Sequence, residues 1–162
     1  MNRSEIISSI EERIRKGVVL PVDLQWVSAQ VTCKEDNESY RLIELLGESR
    51  DLGQRQKLES LLNCEIDPYL SAIALRILCQ DWGLGTEYNQ LLKKFIIGVP
   101  WDYSNELRDA AISAAGDSLY DKDDPILLQE LLRLYDDAAI KTHSGVLFFG
   151  PFGLPQRETR AN

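Results

Sequence analysis

Apolar residues recur three and four apart along most of the chain, the spacing of one helix face rather than of a strand. Ile6, Ile10 and Ile14 are four apart and predict a first helix over residues 4–17, capped by Ser4 and stopped by Gly17. Val18-Val19-Leu20-Pro21 reads as an extended connection, because a residue before proline avoids helical angles. Leu24, Val27 and Val31 then mark a helix over 22–33, with Trp26 beside the stripe. A third helix over 38–49 carries Leu42, Ile43, Leu45 and Leu46 on a broad apolar face, and 54–63 follows with Leu58, Leu61 and Leu62 inward. No stretch alternates apolar and polar residues for long enough to build a sheet, so the fold class is all-α.

The pattern is strongest over residues 67–119. Asp67 and Pro68 open a helix that ends near Trp82-Gly83, and Thr86-Glu87 open its partner, which ends at Gly98. Ser104 is the expected cap of the next helix, and Asp124-Pro125 open the last one. At an offset of 37 residues, Leu70 falls on Leu107, Ala74 on Ala111, Leu75 on Ile112 and Leu78 on Ala115. A period near 40 residues with two helices in each is the signature of stacked helix-pair repeats. The run Leu107-Arg108-Asp109-Ala110-Ala111-Ile112-Ser113-Ala114-Ala115-Gly116 resembles the first helix of a HEAT repeat. That resemblance implies a HEAT-like superhelix of five to seven helices in antiparallel pairs. Within one domain spanning 1–162, residues 1–66 read as degenerate N-terminal helices and 67–137 as two clear repeats. Residues 138–162 read as a tail whose Phe148, Phe149 and Phe152 pack on the domain end.

Charge narrows the partners. Net charge is −8, which disfavours nucleic-acid phosphates and anionic membranes and favours a basic protein. Between Trp101 and Asp137 ten acids stand against three bases, so most of the excess is concentrated in that segment. Cys33, Cys64 and Cys79 are odd in number and lie in apolar contexts, and are expected to be reduced core residues. Acids interrupt the first helix, and apolar runs such as Phe95-Ile96-Ile97 are far too short to span a bilayer, so cytoplasm is the expected location.

Catalytic chemistry is not visible. The chain has no glycine-rich phosphate loop, no paired-cysteine metal spacing and no His-Glu-x-x-His. His143 is the only histidine and reads as a solvated turn residue; Ser144 beside it lacks the geometry that activates a nucleophile. Asp121-Lys122-Asp123-Asp124 lacks the alternating oxygen ligands of a calcium loop, and Pro125 makes it a cap with loop acids. The expectation is therefore a non-catalytic protein-binding module with no cofactor and no metal. Its candidate contact residues are Asp81, Trp82, Trp101, Asp102, Tyr103, Asp121, Asp123, Asp124, Asp136 and Asp137. They join the acids to aromatics at helix ends, the residue types favoured as interface anchors.

The segments Ala74–Leu84 and Phe95–Asp102 are similar in layout to HEAT-like immunity proteins of bacterial contact-dependent inhibition and related polymorphic toxin systems. The resemblance implies an inhibitor of a cognate toxin domain, often a basic nuclease. A HEAT-like scaffold for an endogenous partner is the alternative. Lyases and DNA glycosylases also occur on such folds, although a glycosylase would need a basic face to hold DNA.

Overall fold

The structure, a computed structural model, describes residues 2–121 and 123–136. Among these there are eight α-helices and no strand. They are α1 (Arg3–Arg15), α2 (Pro21–Gln30), α3 (Asn37–Ser49), α4 (Arg55–Leu61), α5 (Pro68–Arg76), α6 (Asn89–Ile97), α7 (Glu106–Asp121) and α8 (Pro125–Asp136). The all-α expectation holds, while the expected count of five to seven is exceeded. Each of the eight corresponds to a segment read from the sequence; the shortest, α4, has 7 residues, too few to persist alone, and packs against α5. The expected tail over 138–162, with His143, Phe148, Phe149 and Phe152, lies outside the described residues.

Side-chain caps set the helix starts. Asn2, not Ser4, caps α1: its side-chain oxygen accepts from the Glu5 N–H at 2.8 Å, and Glu5 accepts from the Asn2 N–H at 3.0 Å. Both members of this reciprocal box satisfy donors that the helix itself leaves unpaired. Asp36 caps α3 through Ser39, and Asp67 caps α5 through Leu70. Asp124 caps α8 through Ile126 and Leu127. Ser104 does not cap α7. Asp102 supplies the oxygens instead, accepting from Leu107 at 3.4 Å and from Arg108 at 2.9 Å. Asn105, at φ 61°, turns the chain between that acid and the helix.

The helices pack in a regular succession. α1 contacts α3, α3 contacts α5 and α5 contacts α7; α2 lies on α3, α4 on α5 and α6 on α7, with α8 against α6 and α7. Along α1, α3, α5 and α7, polar side chains bridge each neighbour to the next. Arg41 on α3 reaches Glu11 on α1, and Arg76 at the end of α5 reaches Glu44 on α3. Gln80, beyond α5, reaches Ser113 and Asp117 on α7. Leu70, Ala74, Leu75 and Leu78 are buried, as are Leu107, Ala111 and Ala115, so most of the aligned positions lie in the core, where α5 packs on α7. Ile112, Leu91 and Leu131 are only half-buried against this core.

Two features were not expected. The helix foreseen to run through Trp82 leaves α geometry after Arg76 and continues as a π-helical turn, Ile77–Asp81. The turn brings Trp82 onto α3, where its indole N–H donates to the Gly47 carbonyl at 3.0 Å. Gly47 permits this approach, because a Cβ there would stand 2.9 Å from Ile77.

The second feature corrects the cysteine reading. Cys33, beyond α2, and Cys64, beyond α4, form a disulfide with Cα atoms 5.6 Å apart, while Cys79 is free and buried. A sequence separation of 31 hid a pairing that stacking produces. Structural disulfides persist in oxidising compartments and are rare in reducing ones, so the cysteines no longer support a cytoplasmic location.

Candidate interaction surface

The ten candidate residues divide by what their side chains already do. Asp102 is only 7% exposed and its carboxylate is committed to the α7 start, so it is structural and not a rim acid. Trp82 is half-buried on Gly47, and Trp101 is half-buried against the core. Asp124, besides capping α8, accepts from Asn89 at 2.9 Å and lies 3.6 Å from the Lys93 ammonium. The backbone N–H of Leu127, then Lys93, Ile126 and Asn89, hold its pKa below the ordinary aspartate value against a smaller effect of burial. Asp81, Tyr103 and Asp123 are exposed, Tyr103 at 75%. Asp121 and Asp136 end α7 and α8 respectively, and Asp137 lies outside the described residues.

The structure assembles a different set that runs along one helix. Glu106, Asp109, Ser113, Asp117 and Tyr120 are spaced by three and four on α7 and are all exposed, Tyr120 at 93%. Tyr103 precedes this stripe and Tyr120 closes it. The opposite face of α7 carries Leu107, Ala111, Ala114 and Ala115 into the core, which fixes the stripe outward. Asp109 has its pKa raised, first by burial and then by Asp102, with Arg108 opposing. Helical spacing could have revealed the stripe in the sequence, since all of its members lie in one periodic segment.

A concavity lies over α3, between α1 and α5. Its apolar floor includes Leu45 and Ile73, over which Tyr40 and Tyr69 meet edge to face, with centroids 5.1 Å apart and planes at 86°. Tyr40 is pushed up to about 12, by burial first and then by Asp67, with Glu35 and Asp36 adding to the effect. The second carboxylate oxygen of Asp67 is buried and has no partner in hydrogen-bonding geometry among the described residues.

No family model, curated protein or solved structure matches this chain. The surface must therefore be read from its own chemistry. Among the described residues no group of three or more His, Cys, Asp and Glu could hold a metal ion, and no helix is long and apolar enough to cross a membrane. The charged side chains divide into paired and unpaired groups, and exposed bases such as Arg15 and Arg50 have no ion pair among the described residues either. Arg3, Arg13, Arg41, Arg55 and Arg76 each pair with an internal carboxylate, and Arg108 donates to the Ile96 carbonyl. Asp81, Glu106, Asp109 and Asp123 are exposed without an ion pair among the described residues.

Proposed function

We propose that this protein is a non-catalytic binding module, a HEAT-like array of helix pairs that acts as an immunity protein. In this reading it captures a basic cognate toxin domain on the acidic face of α7 and blocks it by occupancy. The observation that carries the proposal is the exposed stripe of α7, on which Glu106 and Asp109 stand without an ion pair among the described residues. A surface arranged in this way attracts a cationic partner and repels nucleic acid. The recurrence of cross-helix bridges from α1 to α7 supports the repeat reading, because stacked units offer each neighbour equivalent positions. Exposed Tyr103 and Tyr120 supply aromatic area beside the charges.

The test is co-expression with the product of the adjacent reading frame. Growth should be arrested by that product alone and restored by this protein, and the two should co-purify. Association of the purified pair should slow with added salt and with the triple variant Asp109→Asn/Asp117→Asn/Asp123→Asn. A neighbour that is harmless, or an association rate indifferent to both salt and the triple variant, would overturn the proposal. A stable, salt-sensitive complex with a harmless partner would instead identify an adaptor.

A further inference from the structure

The two ends of the helix array are finished differently. On α1, at the N-terminal end, Ser4, Glu5, Ser8 and Glu12 are exposed, the polar finish that the first unit of a stack needs. α8 is the last described helix, packed on α6 and α7, and it lacks such a finish. Its Leu127 is fully buried, but Leu128 and Leu132, one turn apart on the flank of that buried face, are 47% and 55% exposed. Leu131 beside them is only half-buried. Among the described residues, then, apolar cover is missing along one side of α8. The sequence holds a matching surplus. Beyond Asp136 the chain runs on through residues 137–162, and six of the nine residues from Val146 to Leu154 are large and apolar: Val146, Leu147, Phe148, Phe149, Phe152 and Leu154. No Asp, Glu, Lys or Arg lies between Lys141 and Arg157.

We propose that the segment Val146–Leu154 folds back in cis onto the exposed flank of α8 and closes the C-terminal end of the array. Length permits it. The connection from Asp136 to Val146 can reach roughly 33–36 Å when extended, whereas the 12 residues of α8 rise only about 18 Å. Every point on the flank is within range. The tether also favours this occupant over one in trans, because a short linker holds its cargo at an effective concentration on the order of millimolar. Two half-exposed leucines fall far short of the roughly 800 Å² that each partner buries in a stable dimer, so a second copy fits poorly. Charge does not call for a polar occupant either: Glu130 and Arg133 on α8 pair with one another at 3.8 Å. An uncharged segment with a contiguous apolar surface of its own is what such a flank suits. This seat lies on α8 and does not depend on the α7 reading.

The test uses the full chain with its leucine methyl groups labelled for NMR, and the signals of Leu128 and Leu132 assigned through Leu128→Ile and Leu132→Ile. A methyl group packed on a phenyl ring is shifted upfield by the ring current. The variant Phe148→Leu/Phe149→Leu/Phe152→Leu keeps the segment apolar and removes the rings. The Leu128 and Leu132 methyl signals should therefore lose an upfield displacement, by the same amount at every protein concentration. The converse variant, Leu128→Asn/Leu132→Asn, changes exposed positions only, and circular dichroism checks that it folds. It should speed chymotryptic cleavage after Phe148 and Phe149 about five-fold or more, since cleavage follows the population of the undocked segment. Unmoved Leu128 and Leu132 signals, changes confined to leucines of other helices, or equal cleavage of variant and wild type would each overturn the proposal. So would a displacement that fades on dilution, which would place a second copy on the flank instead.

Discussion

Asp102, Asp109 and Asp124 are all acids of the C-terminal half, yet their surroundings give them different roles. Asp124 is held charged by backbone donors and Lys93, so its folded pKa lies below the ordinary value of 3.8. The stability it contributes is present above that value and is lost as pH falls through the lower, folded one. Asp124→Asn should therefore flatten the acid side of the stability curve, as followed by urea unfolding from pH 2 to 6. Asp109 has the opposite sign. Its raised pKa means that the fold favours the protonated form, so stability declines as pH rises through the folded value. Asp109→Asn should raise the urea midpoint slightly near pH 7, within the roughly 0.5 kcal/mol typical of surface changes. Asp102→Ala removes a buried acceptor from two backbone donors and should cost about 1–2 kcal/mol. Sequence spacing foretold the caps Asp67 and Asp124, because proline follows each directly. It missed Asp102, whose role depends on the left-handed turn at Asn105, a conformation that a single asparagine does not announce.

At the scale of elements, α5 and α7 carry the architecture. The two helices pack on each other and both bury alanines, Ala74 on α5 and Ala111 and Ala115 on α7, where no space is left for a longer side chain. Ala111→Leu or Ala115→Leu should overpack that contact and cost about 1–3 kcal/mol, read as a lower midpoint with unchanged helix content. This contact was legible because two segments with the same pattern lay one period apart. The π-helical turn at Ile77–Asp81 was not. It adds no residue type that helical periodicity excludes, and it exists to place Trp82 on a particular carbonyl of α3. Gly47 carries the other half of that arrangement. Gly47→Ala would press its Cβ against Ile77, which is buried and cannot swing away, with a cost of about 1–3 kcal/mol.

For the molecule as a whole, the all-helical class followed from periodicity, while the outward stripe of α7 became visible through burial, although helical spacing already held it. Charge counting picked out the acid-rich segment 101–137, but it could not separate acids that cap helices from acids that face outward. The disulfide escaped for a similar reason, since pairing is a property of space and not of spacing. Cys33–Cys64 closes a loop of about 31 residues around α3 and α4. Reduction, or Cys33→Ser/Cys64→Ser, should destabilise the fold by about 3–4 kcal/mol in the chain-entropy model, measured as the urea midpoint with and without reductant. The same ring determines what proteolysis can accomplish. A single cut anywhere between residues 34 and 63, for instance after Arg50 or Lys57, leaves the two fragments covalently tethered through sulfur. On a non-reducing gel the nicked protein would still run as one full-mass species, and only a thiol would part it into two.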